Sequence, residues 1–141
     1  MHCLCKWKNL CHRWSAGIAG GGGPLVSIVE EYDPITDIWT RKSARIPTPR
    51  SMFAVSVVNG KIYAIGGEDK NTNVYNIIKP LGVSTVEEYD PIRDIWTRKP
   101  DMPTKRCCLS TAVVNGRIYA FGGTDDIPFG KGFSTIEVYT P

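Results

Sequence analysis

Short apolar runs broken by turn residues recur along the chain. Phe53–Val58 and Cys108–Val114 are two such runs, and each leads into an Asn-Gly pair, Asn59-Gly60 or Asn115-Gly116. A second run follows each pair, Lys61–Gly66 or Arg117–Gly122. Asn-Gly between two apolar runs predicts a tight hairpin, because both residues tolerate positive φ. Ile, Tyr and Phe in the second run suit a pleated, half-buried surface. That run closes on twin glycines, Gly66-Gly67 and Gly122-Gly123, which predict close backbone approach or a sharp exit from a sheet. A third strand is expected at Val29–Tyr32, Val86–Tyr89 and Ile136–Tyr139, with the turn starter Asp-Pro after the first two. A short fourth is centred on Trp39 and Trp96. None of these stretches has helical periodicity, so the unit reads as a four-stranded antiparallel meander of about 50–57 residues.

The unit is repeated almost word for word. VVNGKIYAIGG (57–67) returns as VVNGRIYAFGG (113–123), and VEEYDPITDIWTRK (29–42) returns as VEEYDPIRDIWTRK (86–99). A clipped third copy, STIEVYTP (134–141), answers STVEEYDP (84–91). One small meander cannot bury both its faces and must stack on its neighbours. Radial stacking of such sheets is the β-propeller arrangement, commonly of about 4–8 blades.

The glycine pair after Ile-Tyr-Ala-Ile, then Tyr-Asp-Pro, then Trp, then Pro47-Thr48-Pro49-Arg50, resembles the kelch repeat. The resemblance covers roughly Ser27 to Pro141 and implies an all-β fold of four-stranded antiparallel kelch blades, an incomplete β-propeller. Residues 1–24 read as an irregular or short helical segment ending in a Gly-rich linker, and 25–141 as the repeats. Within the repeats, 25–46 is a partial blade, 47–102 a full blade and 103–141 a partial blade. A little over two blades cannot close a ring, and open edges invite association. Three readings stay open: a fragment of a longer kelch protein, head-to-tail assembly or self-association through open blade edges, and a monomer that covers its edges. Ala16–Gly23 could be a worn copy of a strand-two ending.

Charge changes the picture only at the N-terminus. Lys6, Lys8 and Arg13 account for the whole net charge of +3, and the rest of the chain balances 14 basic against 14 acidic residues. That balance argues against nucleic acid as the partner of the repeats. Five cysteines, Cys3, Cys5, Cys11, Cys107 and Cys108, do not read as a secreted disulfide framework. No apolar run is long enough to span a membrane, and no apolar block after the N-terminal charges marks a signal peptide. Leu4, Trp7, Cys11 and Trp14 follow helical spacing, with the basic residues off that stripe. A packing helix or a tail is the plain reading, and a basic amphipathic helix the alternative. His2, Cys3, Cys5, Cys11 and His12 lack the paired spacing of a structural zinc site, so no metal is expected there.

Both histidines lie in that segment, which leaves the repeats without a His-based triad or a His-ligated metal. Cys107-Cys108 follows Lys105 and Arg106, yet Ser51-Met52 stands at the same place in the other unit, so packing is the expected role. Neighbours in a strand point to opposite faces, so Glu30-Glu31 and Glu87-Glu88 form no carboxylate dyad. In each pair, one Glu is expected to anchor blade-to-blade hydrogen bonds. No catalytic residue and no cofactor are expected.

Topology points to a binding surface instead. In an up-and-down meander the loops from strand two to three and from four to the next one share an end. Here these are 68–83 and 124–133, and 43–51 and 100–107. Loops on a rigid scaffold carry binding. The expected contact residues are Arg50, Asp69, Lys70, Asn71, Asn73, Tyr75, Lys105, Arg106, Asp125, Asp126 and Phe129. For Arg50 and Arg106 a structural tie to a neighbouring blade is an equal reading. Tyr32, Tyr89, Tyr139, Trp39, Trp96 and the four paired glycines are expected to be framework. The kelch resemblance implies a non-catalytic scaffold that binds a protein or peptide, with neither nucleic acid nor membrane as partner. The alternative is part of a carbohydrate-active kelch enzyme, acting on a sialic acid as an epimerase or mutarotase, or on an alcohol as an oxidase. Its active residues would lie outside this chain.

Overall fold

The computed structural model describes residues 27–69, 73–74, 77–78, 81–125 and 130–141. The expectations for the N-terminal helix, its metal ligands and the Gly-rich linker lie outside these residues.

The described residues are all strand, turn and loop. In chain order the strands are β1 (Glu30–Asp33), β2 (Ile38–Arg41), β3 (Ala54–Val58), β4 (Lys61–Ile65), β5 (Glu68–Asp69), β6 (Asn73–Val74), β7 (Ile77–Ile78), β8 (Leu81–Gly82), β9 (Val86–Asp90), β10 (Ile95–Lys99), β11 (Cys107–Val114), β12 (Arg117–Thr124) and β13 (Ile136–Tyr139). They form antiparallel sheets: β1-β2, then β10-β9-β4-β3, then β11-β12-β13. The middle sheet is a whole blade, flanked by the last two strands of one unit and the first three of another. The sheets do not close into a ring.

Local chemistry sets the elements. Asn59-Gly60 and Asn115-Gly116 have φ of 51° and 74°, and 50° and 73°, the two-residue turn that the hairpins β3-β4 and β11-β12 need. The Asp-Pro turns are held by carboxylates: Asp90 accepts from the N–H groups of Ile92 and Arg93, and Asp33 from that of Ile35. The segment 68–83, expected to be a plain loop, instead pairs β5 with β8 and β6 with β7. Val74, Ile77 and Ile78 are β-branched residues, which favour extended pairing.

Blades meet face to face through two apolar clusters. Val29 of the first unit packs with Ile62 and Tyr89 of the middle blade, flanked by Ala44, Val55 and Trp96. Val58, Tyr63, Ile65, Val86 and Met102 pack with Leu109, Ile118 and Ala120 of the next unit, flanked by Ala54 and Tyr139. The middle blade is thereby covered on both faces. Tyr89 stacks 5.0 Å from Trp96, and Tyr32 5.1 Å from Trp39, so the first two units use the same ring pair. Polar ties cross the same boundaries. Asp94 Oδ2 accepts from the N–H groups of Ser43 and Ala44, at 2.9 and 3.3 Å, and Ser56 Oγ donates to Thr111 Oγ1 at 2.9 Å.

These ties predict acid sensitivity. The Tyr89 hydroxyl, with the Ala44 and Ser43 N–H groups, holds Asp94 below the usual carboxylate range, and Lys61 does the same to Asp90. Burial pushes Glu88 up, but hydrogen bonds from Tyr63 and Lys99 outweigh it and leave it lowered. A depressed folded-state value adds stability above the unfolded carboxylate range of about pH 4, lost as pH falls through the folded value. The urea midpoint is therefore expected to drop on acidification below that range, and to drop less in Asp94→Asn. A midpoint unchanged down to about pH 3 would contradict this.

Candidate functional site

Strands two and four of each blade run to the same end, and backbone bonds tie the loops there into one surface. Glu68 pairs with Ser51 on both sides, N–H to O at 2.8 and 3.1 Å, joining the strand-two exit to the incoming linker. Val83 pairs with Arg106 across the boundary to the next unit, and Gly67 N–H donates to Arg106 O at 2.8 Å. Gly82 N–H donates to Asp125 O at 2.9 Å, so the two-to-three loops of successive blades touch. The twin glycines make this closeness feasible: a Cβ on Gly66 would lie 2.5 Å from Arg106 O, and one on Gly67 2.6 Å from Ser51 O.

Nine of the eleven expected contact residues divide into three groups. Lys105 and Asp125 are exposed and Asp69 is half-buried, all on this face. Asn73 lies in the β6-β7 pair. Lys70, Asn71, Tyr75, Asp126 and Phe129 fall outside the described residues.

Arg50 and Arg106 are a correction: they are the largest fully buried side chains, at 1% and 0% exposure, and offer no surface to a partner. Each bends inward because the sheet supplies buried acceptors. Arg50 Nη2 donates to Ala64 O at 3.0 Å and lies 3.0 Å from Glu87 Oε2; Thr48 Oγ1 donates to Glu87 Oε1 at 2.9 Å. Arg106 donates to the carbonyls of Gly122 and Thr135, to Thr135 Oγ1 and to Glu137 Oε1, at 2.6–3.0 Å. Both guanidinium groups tie the incoming linker to strands two and three of the blade it enters, while the Arg106 backbone also bonds to Val83 and Gly67 of the preceding blade. Accordingly Glu87 serves its own blade and anchors no blade-to-blade bond. Burial lowers Arg50 to about 10, with Glu87 opposing the shift, so it stays cationic at neutral pH. Each guanidinium also stands over a ring, Phe53 at 5.7 Å and Phe133 at 5.0 Å.

Sequence reasoning passed over Glu68 and took Met52 only as the counterpart of Cys108 in the other unit. Glu68 is buried at the strand-two exit and accepts from Ser51 Oγ at 2.6 Å. Met52 and Cys108 share a positive φ, 52° and 54°, and their sulfurs are 3.4 Å apart. The repeat alignment places these two at the same position, but their contact is set by one unit packing on the next. Among the described residues no group of three His, Cys, Asp or Glu side chains is assembled for a metal, and no helix is long and apolar enough to cross a membrane.

The Kelch motif family model matches residues 49–103 and 105–141. The human Kelch repeat and BTB domain-containing protein 12 is 30% identical over 122 residues, 83% of this chain and 19% of that protein. Beta-scruin of Limulus polyphemus is 32% identical over 118 residues, 82% of this chain and 12% of that protein. The zebrafish Kelch-like ECH-associated protein 1B is 36% identical over 99 residues, 70% of this chain and 16% of that protein. The chain thus spans less than a fifth of the length of each of these relatives. The solved structure of YjhT superposes with a TM-score of 0.61 at 23% identity, over 71% of this chain and 29% of that one, a likeness of fold alone.

Proposed function

Because this chain belongs to the kelch-repeat family, we propose that it is a non-catalytic binding scaffold that takes a protein or peptide on the loop face. The observation that carries the reading is the backbone linkage of neighbouring loops, Val83 to Arg106 and Gly82 to Asp125. It gives a partner one continuous surface built on rigid sheets, the arrangement in which loops carry recognition. Two relatives support it: one is named for an association and another pairs kelch repeats with a BTB domain. The face offers both charges, Lys105 against Asp69 and Asp125. We assign residues 25–46, 47–102 and 103–141 to successive blades of a larger propeller. Further sequence or other copies of the chain would supply the remaining blades.

Selection of displayed random peptides against the purified chain tests the surface. Enriched peptides are expected to lose about tenfold or more in affinity for Asp69→Ala/Lys105→Ala/Asp125→Ala, since a few contacts dominate an interface. They should keep their affinity for Arg93→Ala/Arg117→Ala at the opposite end. Peptides that survive the loop variant and fail on the other would refute the assignment.

A further inference from the structure

The linker that leaves the first unit carries a hydroxyl among basic side chains. Exposure alternates along it: Arg41, Ser43 and Arg45 are exposed, Lys42 and Ala44 half-buried. Alternate residues of an extended segment share a side. Ser43 therefore stands in solvent with one guanidinium two places before it and another two places after. No other Ser or Thr of the chain has a basic residue within two positions on both sides. The same segment holds the boundary to the middle blade. The Ser43 and Ala44 N–H groups both donate to Asp94 Oδ2, at 2.9 and 3.3 Å, and Tyr89 Oη donates to Asp94 Oδ1 at 2.7 Å. The linker that leaves the middle unit begins with Pro100, which has neither a hydroxyl nor an N–H, so the feature belongs to the first boundary.

We propose that Ser43 is a phosphorylation site for a serine/threonine kinase that reads basic flanks, and that a phosphate there loosens the first unit from the middle blade. In the transfer, Ser43 Oγ attacks the γ-phosphorus of ATP and the bond to the β-phosphate oxygen breaks. The hydroxyl proton passes to the kinase's catalytic base, and ADP leaves. The product carries about −1.5 to −2 charge at neutral pH. It sits on the residue whose N–H Asp94 holds. Asp94 is anionic there, because the Tyr89 hydroxyl and the two amides favour its charged form. A phosphate beside a carboxylate acts by like-charge repulsion. Lys42 on the inner side is engaged by Glu31 at 3.1 Å, and Arg41 and Arg45 lie in water, where their attraction is screened. This site does not depend on the protein-binding reading.

The test incubates the full chain with ATP and the catalytic domain of protein kinase C, and locates phosphate by mass spectrometry. Phosphate is expected on Ser43. Arg41→Ala/Arg45→Ala is expected to slow its incorporation about tenfold or more, the scale of lost hydrogen bonds from charged groups. A peptide of residues 38–48 is the reference. Phosphorylation of the peptide without the folded chain overturns the site, as does phosphorylation of neither or an unchanged rate in the double variant. Hydrogen exchange then reads the tie itself. The Ser43 and Ala44 amides are expected to exchange about tenfold or more faster once phosphorylated. The Gly66 amide, bonded to Thr85 O at 2.9 Å, should keep its rate. In Asp94→Asn, where no carboxylate faces the phosphate, phosphorylation should accelerate the two amides far less. Each variant is compared with its own unmodified form, so the baseline effect of the substitution cancels. Unchanged protection of Ser43 and Ala44, or an equal acceleration in Asp94→Asn, overturns the switch.

Discussion

Arg50→Ala is expected to lose about 3–5 kcal/mol of stability, the cost of leaving one member of a buried ion pair alone. Glu87 is 1% exposed, and after the substitution it would keep only the hydrogen bond from Thr48. Ala64 O would lose its arginine donor as well. Arg50→Lys keeps the charge but not the planar fork of donors, so it should fall between parent and alanine variant. Arg50→Met combined with Glu87→Leu removes both charges and fills the space. It should recover a large part of the loss, because no buried charge is then unpaired. Denaturant unfolding followed by tryptophan fluorescence reads all four proteins. An alanine variant within about 1 kcal/mol of the parent would show that the pair does not hold the linker to its blade.

Gly66→Ala should be much more damaging than Gly122→Ala, although the two glycines occupy the same place in successive repeats. Their φ values are 63° and 68°, so the left-handed penalty of about 1–2 kcal/mol is common to both. The surroundings differ. At Gly66 a Cβ would fall 2.5 Å from Arg106 O and 3.0 Å from Met102 Cε, in the adjoining linker; at Gly122 it meets nothing within 4 Å among the described residues. Backbone cannot yield as a flexible side chain can, so overpacking adds about 1–3 kcal/mol at Gly66 alone. Equal losses in the two variants would mean that the close approach of linker to blade has no energetic weight.

Most of the framework was legible because it is local. Asn-Gly at 59–60 and 115–116 could only be hairpins between apolar runs, and the ranges of β3, β4, β9 and β13 lie within a residue of those read from the pattern. The glycine pairs announced the close approach seen at Gly66, Gly67 and Gly123, and Tyr89 stacks on Trp96 within its blade. The pairing inside 68–83 escaped, because two-residue strands carry too little periodicity to register. The loop face followed from counting strand directions, since an even number of reversals returns the chain to the same end.

The arginines are where local reading stopped. Arg50 and Arg106 sit in linkers beside Pro, Thr and Lys, a context that suggests solvent. Their burial depends on Glu87 and Glu137, which are 37 and 31 residues further along, and on carbonyls presented by strands two and three. The contact of Met52 with Cys108 likewise needs two units side by side. The sequence by itself determined the repeating antiparallel unit, because turn chemistry and apolar alternation act over a few residues. Only the tertiary structure decided which charges face inward, which twin glycine is crowded and which sulfurs meet, because those outcomes depend on surfaces that form when one blade packs on the next.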